Sequence, residues 1–203
     1  MARFSLHCTG QSPEAVFQAI SDLLPSVTAE ELVALGPELA ALIPELQPML
    51  GFDQRSPHHA YDLFRHTAHV VEHVPGDLTL RWAALLHDTG KVPTFTRDAT
   101  GRGHFYGHAQ ESARMADAIL RRLHAPDDLR HRAVTLIGLH MTKIKPDEAH
   151  VVPLLDQLGM EALDQLLTLQ EADMASKGVD EPNDFSQFPR IRSAALALLK
   201  KQI

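Results

Sequence analysis

The chain has 203 residues, 44 % of them apolar and 5 % aromatic, and carries a net charge of −7. That length suits one domain with room for a small appendage, and the charge argues against a long electropositive nucleic-acid groove while allowing a small phosphate-bearing ligand. The single cysteine, Cys8, excludes an internal disulfide framework and a cysteine-based zinc site. No apolar run of signal length follows Met1 and no membrane-length apolar span occurs, so a cytoplasmic protein with no membrane partner is expected. Abundant Leu and Ala with few aromatics favour helices over a β-sandwich.

Residues 1–50 read as a helical extension of short helices. Ser12-Pro13-Glu14 starts one, Thr28-Ala29-Glu30-Glu31 is a capping box, and Pro37, Pro44 and Pro48 keep the following Leu/Ala-rich stretch short. Residues 51–57 form a loop. A helix is predicted over about 61–74, stopped by Pro75-Gly76, and another over about 78–87. At about 100° per residue, Asp62, His66, His69 and His73 share one stripe bordered by apolar faces. The segment 94–106 reads as a small β-hairpin or ordered loop. Helices follow over about 107–124, 126–141, 150–158 and 159–176. Then come a Gly/Pro/Asn/Asp-rich loop from 177 to 189 and a last helix over about 189–200. The expected fold is all-α with one small hairpin, a single domain made of the extension, a core over 51–176, and the loop and helix of 177–203.

The pair His87-Asp88 ends the apolar run Leu80-Arg81-Trp82-Ala83-Ala84-Leu85-Leu86. Buried polar neighbours of this kind need partners, and a metal ion accepts a neutral imidazole and a carboxylate together. His66, His108, His140 and Asp173 are further candidates of the same kind. On residues alone, His66, His69 and His73 are near-equal, and Glu171 rivals Asp173. The structural alternatives are a turn role for Asp88, a capping role for His108, dipole stabilisation by His140 at a helix C-terminus, and solvated charges at Arg65, Lys91, Lys143 and Lys145.

Three segments in order carry a resemblance. Gly51-Phe52-Asp53-Gln54-Arg55-Ser56-Pro57-His58-His59-Ala60-Tyr61-Asp62-Leu63-Phe64-Arg65-His66-Thr67 is the first. His87-Asp88-Thr89-Gly90-Lys91-Val92-Pro93-Thr94-Phe95 and Gly101-Arg102-Gly103-His104-Phe105-Tyr106-Gly107-His108 are the others. With Asp173 they resemble the HD superfamily of metal-dependent phosphohydrolases, in particular the HD domain attached to bacterial CCA-adding tRNA nucleotidyltransferases, over roughly residues 38–177. No Gly-Ser followed by an Asp-x-Asp motif is found, so this chain is expected not to add CCA. It is similar also to phosphatase modules found beside polynucleotide kinases, which implies a kinase or RNA-repair partner on a separate chain.

The resemblance implies an HD helical bundle with His66, His87, Asp88, His108, His140 and Asp173 as metal ligands. Four ligands suffice for one ion, and the two further histidines imply a second, with Asp88 bridging. Mixed N/O ligation suits Mn, Fe, Co, Ni or Zn. Lys91, Asp88 and His104 are the implied catalytic residues; His59, Lys91, Arg102 and Tyr106 are expected to contact substrate, and Asp62 to orient a ligand. The implied reactions are 2′,3′-cyclic phosphodiesterase, 2′-nucleotidase or 2′(3′)-phosphatase activity on a small phosphate ester, a nucleotide or a nucleic-acid end, not a long duplex. The alternatives are an HD-fold di-iron oxygenase, which lacks the Gly-rich hairpin segment, and a binding module that turns nothing over.

Overall fold

The computed structural model describes residue 6 and residues 10–56, 60–178 and 184–201. Cys8 and the candidate substrate residue His59 lie outside the described residues. The first helix, α1 (Pro13–Leu23), begins where Ser12 Oγ accepts from the Ala15 amide and Pro13 occupies the first turn. The second, α2 (Ala29–Ala34), opens with the reciprocal capping box of Thr28 and Glu31. Then come α3 (Gly36–Leu42) and a 3₁₀ turn at Pro44–Met49. Proline lacks an amide hydrogen, so Pro37 and Pro44 are tolerated because each sits in a first turn.

Helix α4 (Leu63–His73) starts two residues later than the apolar pattern predicts, because Asp62 caps it. Its Oδ1 accepts from the Phe64 and Arg65 amides, both at 3.0 Å. Asp77 caps α5 (Leu78–Leu86) in the same way. The hairpin pairs β1 (Thr96–Arg97) antiparallel with β2 (Gly103–His104). Helices α6 (His108–Arg122) and α7 (Asp127–Leu139) follow. The last two are α8 (Glu148–Ala175) and α9 (Gln187–Lys201). Gly159, at φ 72°, breaks α8 where the sequence divides it into two helices. The fold is all-α with one two-stranded hairpin, as expected. None of its described helices is long and apolar enough to cross a membrane.

Helix α5 is buried from Thr79 to Leu86 and packs against α4, α6, α7 and α8. It is therefore the axis on which the others are placed. Trp82 anchors the N-terminal helices to it: the indole stacks on Phe17 at 5.3 Å and donates to Ser21 Oγ at 3.0 Å. Arg81 donates to the Leu24 carbonyl, closing the end of α1 against α5.

Two glycines set close approaches that matter for the site. The Gly90 amide donates to Ser112 Oγ at 2.8 Å. A methyl group at Gly90 would lie 2.5 Å from the His108 carbonyl oxygen and from the Ser112 amide nitrogen. The turn after α5 can thus lie directly on the start of α6. At Gly103 a methyl group would lie 2.4 Å from the Gln54 carbonyl oxygen. That contact seats the hairpin on residues 52–55, where Phe52, Phe95 and Phe105 pack edge-on or tilted.

Gly90→Ala is expected to destabilise the protein by about 2–3 kcal/mol, because backbone must move to admit the methyl group. Urea unfolding of the metal-free protein checks this; a loss below about 0.5 kcal/mol would show that the turn and α6 are not in rigid contact.

Candidate metal centre

Five helix segments bring six side chains to one point. His66 comes from the middle of α4, His87 caps the end of α5 with Asp88 next to it, and His108 is the first residue of α6. His140 caps the end of α7 and Asp173 lies in the last turn of α8. Three of the four histidines sit at helix ends or turns, beside a carbonyl three residues back. His87 Nδ1–H donates to the Ala84 carbonyl at 2.7 Å, His108 to Phe105 at 2.8 Å and His140 to Ile137 at 2.7 Å. His66 Nδ1–H donates to the Ser176 carbonyl at 3.1 Å. A carbonyl oxygen only accepts, so each Nδ1 carries a proton and Nε2 is the nitrogen turned to the interior that a metal can bind.

Asp88 stands between two sets of these nitrogens. Its Oδ2 lies 3.3 Å from His87 Nε2 and 3.5 Å from His66 Nε2. Its Oδ1 lies 3.4 Å from His108 Nε2 and 3.9 Å from His140 Nε2. Asp173 Oδ1 completes the first set, 3.0 Å from His66 Nε2 and 4.0 Å from His87 Nε2. Lys91 Nζ is 2.8 Å from Asp88 Oδ2 and donates to Gln54 Oε1 at 2.9 Å.

Burial opposes the charge on each group, and neighbours decide the outcome. Burial, helped by His87, pushes His140 down to about 4. His108 is lowered mainly by burial, with Lys91 contributing. For His87, burial also lowers the value, but the carboxylates of Asp88 and Asp173 outweigh it and raise it. Burial would raise the Asp88 carboxyl, yet His87, Lys91 and His108 hold it well below the ordinary range. Asp173 is likewise lowered, burial being overcome by His66 and His87. Two carboxylates and one ammonium thus share a pocket with the imidazoles, two of which are held neutral.

The donor atoms converge as they would on a metal ion. His108 and His140 face each other through Nε2 atoms 3.2 Å apart, with lone pairs on both. His87 Nε2 is buried and has no hydrogen-bond partner among the described residues. Each such buried group costs on the order of 1–3 kcal/mol. Nitrogen and oxygen ligands bound at about 2.1 Å to one ion stand about 3.0–3.5 Å apart, which is the spacing found around Asp88. The residues therefore fit a divalent metal, and the mixed N/O donor set suits a transition ion.

The structure separates the residues that the sequence left open. His66 is buried in the cluster, whereas His69 stacks on Tyr61 at 4.6 Å and His73 bonds to the His69 carbonyl and Ser176 Oγ. Glu171 pairs with Arg192, leaving Asp173 to the cluster. Asp62 does not orient a ligand; its carboxylate is spent on capping α4. Lys91 is buried beside Asp88 and is not a solvated charge. Gln54 Oε1 accepts from Lys91 Nζ and holds it there.

Two clefts lead to the cluster. One, of about 440 Å³, is lined by His104, Tyr106, His108 and Met141, among others. The other, of about 480 Å³, is lined by His140, Asp173, Lys143, Lys145 and Lys177 with apolar neighbours. His104 and Tyr106 thus reach a cleft wall, while the exposed Arg102 lines neither. Both nitrogens of His104 are engaged, Nε2 with Asp98 at 2.9 Å and Nδ1 with the Tyr106 hydroxyl at 3.3 Å. Lys143 and Lys145 are exposed, as expected of solvated charges, and they also line the second cleft. A separation of 28 residues and more between them and Asp173 gives no local pattern to find it by.

Residues 59–169 match the HD domain family. The A-adding tRNA nucleotidyltransferase of Deinococcus radiodurans is 33 % identical over 98 % of this chain and 45 % of its own length. The CC-adding tRNA nucleotidyltransferase of Thermus thermophilus is 33 % identical over 70 % of this chain and 34 % of its own. The Multifunctional CCA protein of Azoarcus sp. is 41 % identical over 50 % and 25 %. The chain spans less than half the length of these relatives.

Adding Mn, Ni, Co or Zn to metal-free protein at about 100 times its dissociation constant should stabilise the fold by ~2.7 kcal/mol, a rise of several degrees in Tm. No shift with any of them would contradict the site. Without metal, His140 makes the fold sensitive to pH. The unfolded chain takes up its proton near 6.5 and the folded chain only near 4, so stability present above 6.5 is lost as pH falls through 4. His140→Gln should reduce the fall in urea midpoint between about pH 7 and about pH 5; an unchanged fall would show that His140 is not buried neutral.

Proposed function

We propose that this chain, which belongs to the HD-domain family, is a metal-dependent phosphohydrolase that binds two divalent transition ions and acts on nucleotides or RNA ends. One observation carries the reading. The two oxygens of a single buried carboxylate, Asp88, are aimed at two different sets of imidazole nitrogens. His66, His87 and Asp173 would hold one ion with Asp88, and His108 and His140 the other. Ions so placed supply hydroxide at neutral pH and offset charge on the attacking and leaving oxygens.

The chain's own groups do the positioning. Lys91 Nζ is held by Gln54 and Asp88, so its charge is fixed where a phosphoryl oxygen would meet it, without reorganisation during the reaction. The imidazoles serve as lone-pair donors, and the two held neutral by burial carry only the Nδ1 proton, which each donates to a backbone carbonyl. With both His104 nitrogens engaged, the departing oxygen takes its proton from water. Opening a 2′,3′-cyclic phosphate breaks one P–O bond to ribose and forms one from water, leaving a monoester.

The proposed substrates are 2′,3′-cyclic phosphates and 2′- or 3′-phosphates. Two facts support them: the likeness of residues 51–67 and 87–108 to the HD domain of tRNA nucleotidyltransferases, and the relatives' own activities on tRNA as A-adding and CC-adding nucleotidyltransferases. Clefts of about 440 and 480 Å³ take a nucleotide end and not a duplex. A separate kinase or RNA-repair partner is part of the same proposal, as the enzyme that would use the trimmed end.

Asp88→Asn keeps the shape and removes the charge. It should lower kcat by at least about 100-fold, ~2.7 kcal/mol, and a variant retaining more than about a tenth of the activity would refute a central role. His69→Ala should leave activity nearly unchanged. His140→Gln should reduce bound metal from about two ions per chain to about one. In a panel with Mn, Ni and Co, cyclic, 2′- and 3′-phosphates should be hydrolysed at the same rate with and without oxygen, and dNTPs and internal linkages left intact. Turnover that requires oxygen would favour an oxygenase instead.

A further inference from the structure

The cleft that ends at Asp173 and His140 differs in charge from the rest of the surface. Most of the arginines in this acidic chain are neutralised by a carboxylate. Arg65 pairs with Glu30, Arg114 with Glu111, Arg122 with Glu45, Arg130 with Asp117 and Asp127, and Arg192 with Asp164 and Glu171. Lys143, Lys145 and Lys177 make no ion pair among the described residues, and all three line this one cleft. Among the described residues the only carboxylate in the lining is Asp173, which is committed to the metal cluster. Lys145 acts on its neighbour Asp147 only through its field, while Asp147 is bonded to His150.

The rest of the described lining is mainly apolar, with Thr142, Gln170 and Gln187 as its polar members. Ile144, Phe188 and Ile191 are buried, bringing α9 against the segment after α7. A basic rim over an apolar wall, opening onto a phosphate-directed metal cluster, has the chemistry of a subsite for nucleic-acid backbone: cations track phosphates and the apolar wall takes sugar or base.

We propose that this cleft binds the phosphate groups adjoining the reacting end, through Lys143, Lys145 and Lys177, and thereby selects substrates that carry a further phosphate. The inference rests on the phosphohydrolase reading and narrows it: the preferred substrate is an oligoribonucleotide end or a nucleotide with a second phosphate, and a nucleoside cyclic phosphate alone is a poor one. The three lysines position the substrate and take no part in bond making. The net charge of −7 sums over the whole chain and does not show this patch.

The test uses the metal-loaded full chain and three substrates. These are a nucleoside 2′,3′-cyclic phosphate, the same compound bearing a 5′-phosphate, and a single-stranded RNA of about six nucleotides ending in the cyclic phosphate. The wild type should favour one or both phosphate-bearing substrates by about tenfold or more in kcat/KM, ~1.4 kcal/mol. Gain on the RNA alone identifies a strand; gain on the 5′-phosphate as well identifies a single neighbouring phosphate. In the triple variant Lys143→Ala, Lys145→Ala, Lys177→Ala the preference should fall to within about twofold, chiefly through KM, with the bare nucleoside substrate unaffected. The salt dependence of RNA turnover should flatten by up to about 2 in the log–log slope.

Binding is measured separately, by fluorescence anisotropy of a labelled RNA with a 3′-terminal phosphate. Binding by the wild type that the variant loses, with no substrate hydrolysed, would keep the cleft assignment and overturn the hydrolase reading. Hydrolysis by a triple variant that binds RNA and discriminates as the wild type does would overturn the cleft assignment and keep the hydrolase. Equal loss on all three substrates would also overturn it.

Discussion

Asp88 is an ionised carboxylate buried at the end of a buried helix. A charge there costs several kcal/mol unless polar or charged partners surround it, and the fold is arranged to supply them. Helix α5 carries the residue to the centre of the molecule. Gly90 lets the next turn touch α6, so that His108 can face Oδ1. Gln54, seated under the hairpin by the close approach of Gly103, holds Lys91 against Oδ2. The helix ends of α5 and α7 add their last-turn carbonyls, which fix the tautomers of His87 and His140. Packing, hydrogen bonding and charge therefore converge on one side chain.

The elements written in local chemistry were legible in the sequence. The caps at Ser12 and Thr28, the break at Gly159, the hairpin and the helical class all follow from short-range rules. The pair His87-Asp88 announced itself because two polar residues end an apolar run. What stayed open on the residues alone was the choice among His66, His69 and His73, which share one helix stripe. Only the packing of α4 against α8 resolves it, by giving His66 the Ser176 carbonyl and Asp173 as neighbours. Asp62 was misread for a related reason. Its spacing from His66 fits a role as that residue's neighbour, but a helix start one turn earlier claims the same carboxylate.

Lys143, Lys145 and Lys177 show the limit of composition. A net charge sums over the whole surface, and a cleft responds to its own lining. The arginines largely offset carboxylates elsewhere, whereas Lys143, Lys145 and Lys177 form a local excess of positive charge among the described residues beside the cluster. The two clefts differ in lining: aromatic His104 and Tyr106, stacked at 5.3 Å, lie on the side of His108, and the lysines on the side of Asp173. On the proposed reading, one would take the reacting phosphate and the other the chain behind it.

The central claim is that Asp88 bridges two ions. Crystals of the Mn- or Ni-loaded protein, measured at the metal's absorption edge, test it most directly. The account predicts two anomalous peaks, one beside His66, His87 and Asp173 and one beside His108 and His140, with the Asp88 carboxylate between them. A single peak at full occupancy, or peaks that leave Asp88 without a metal contact, would contradict it.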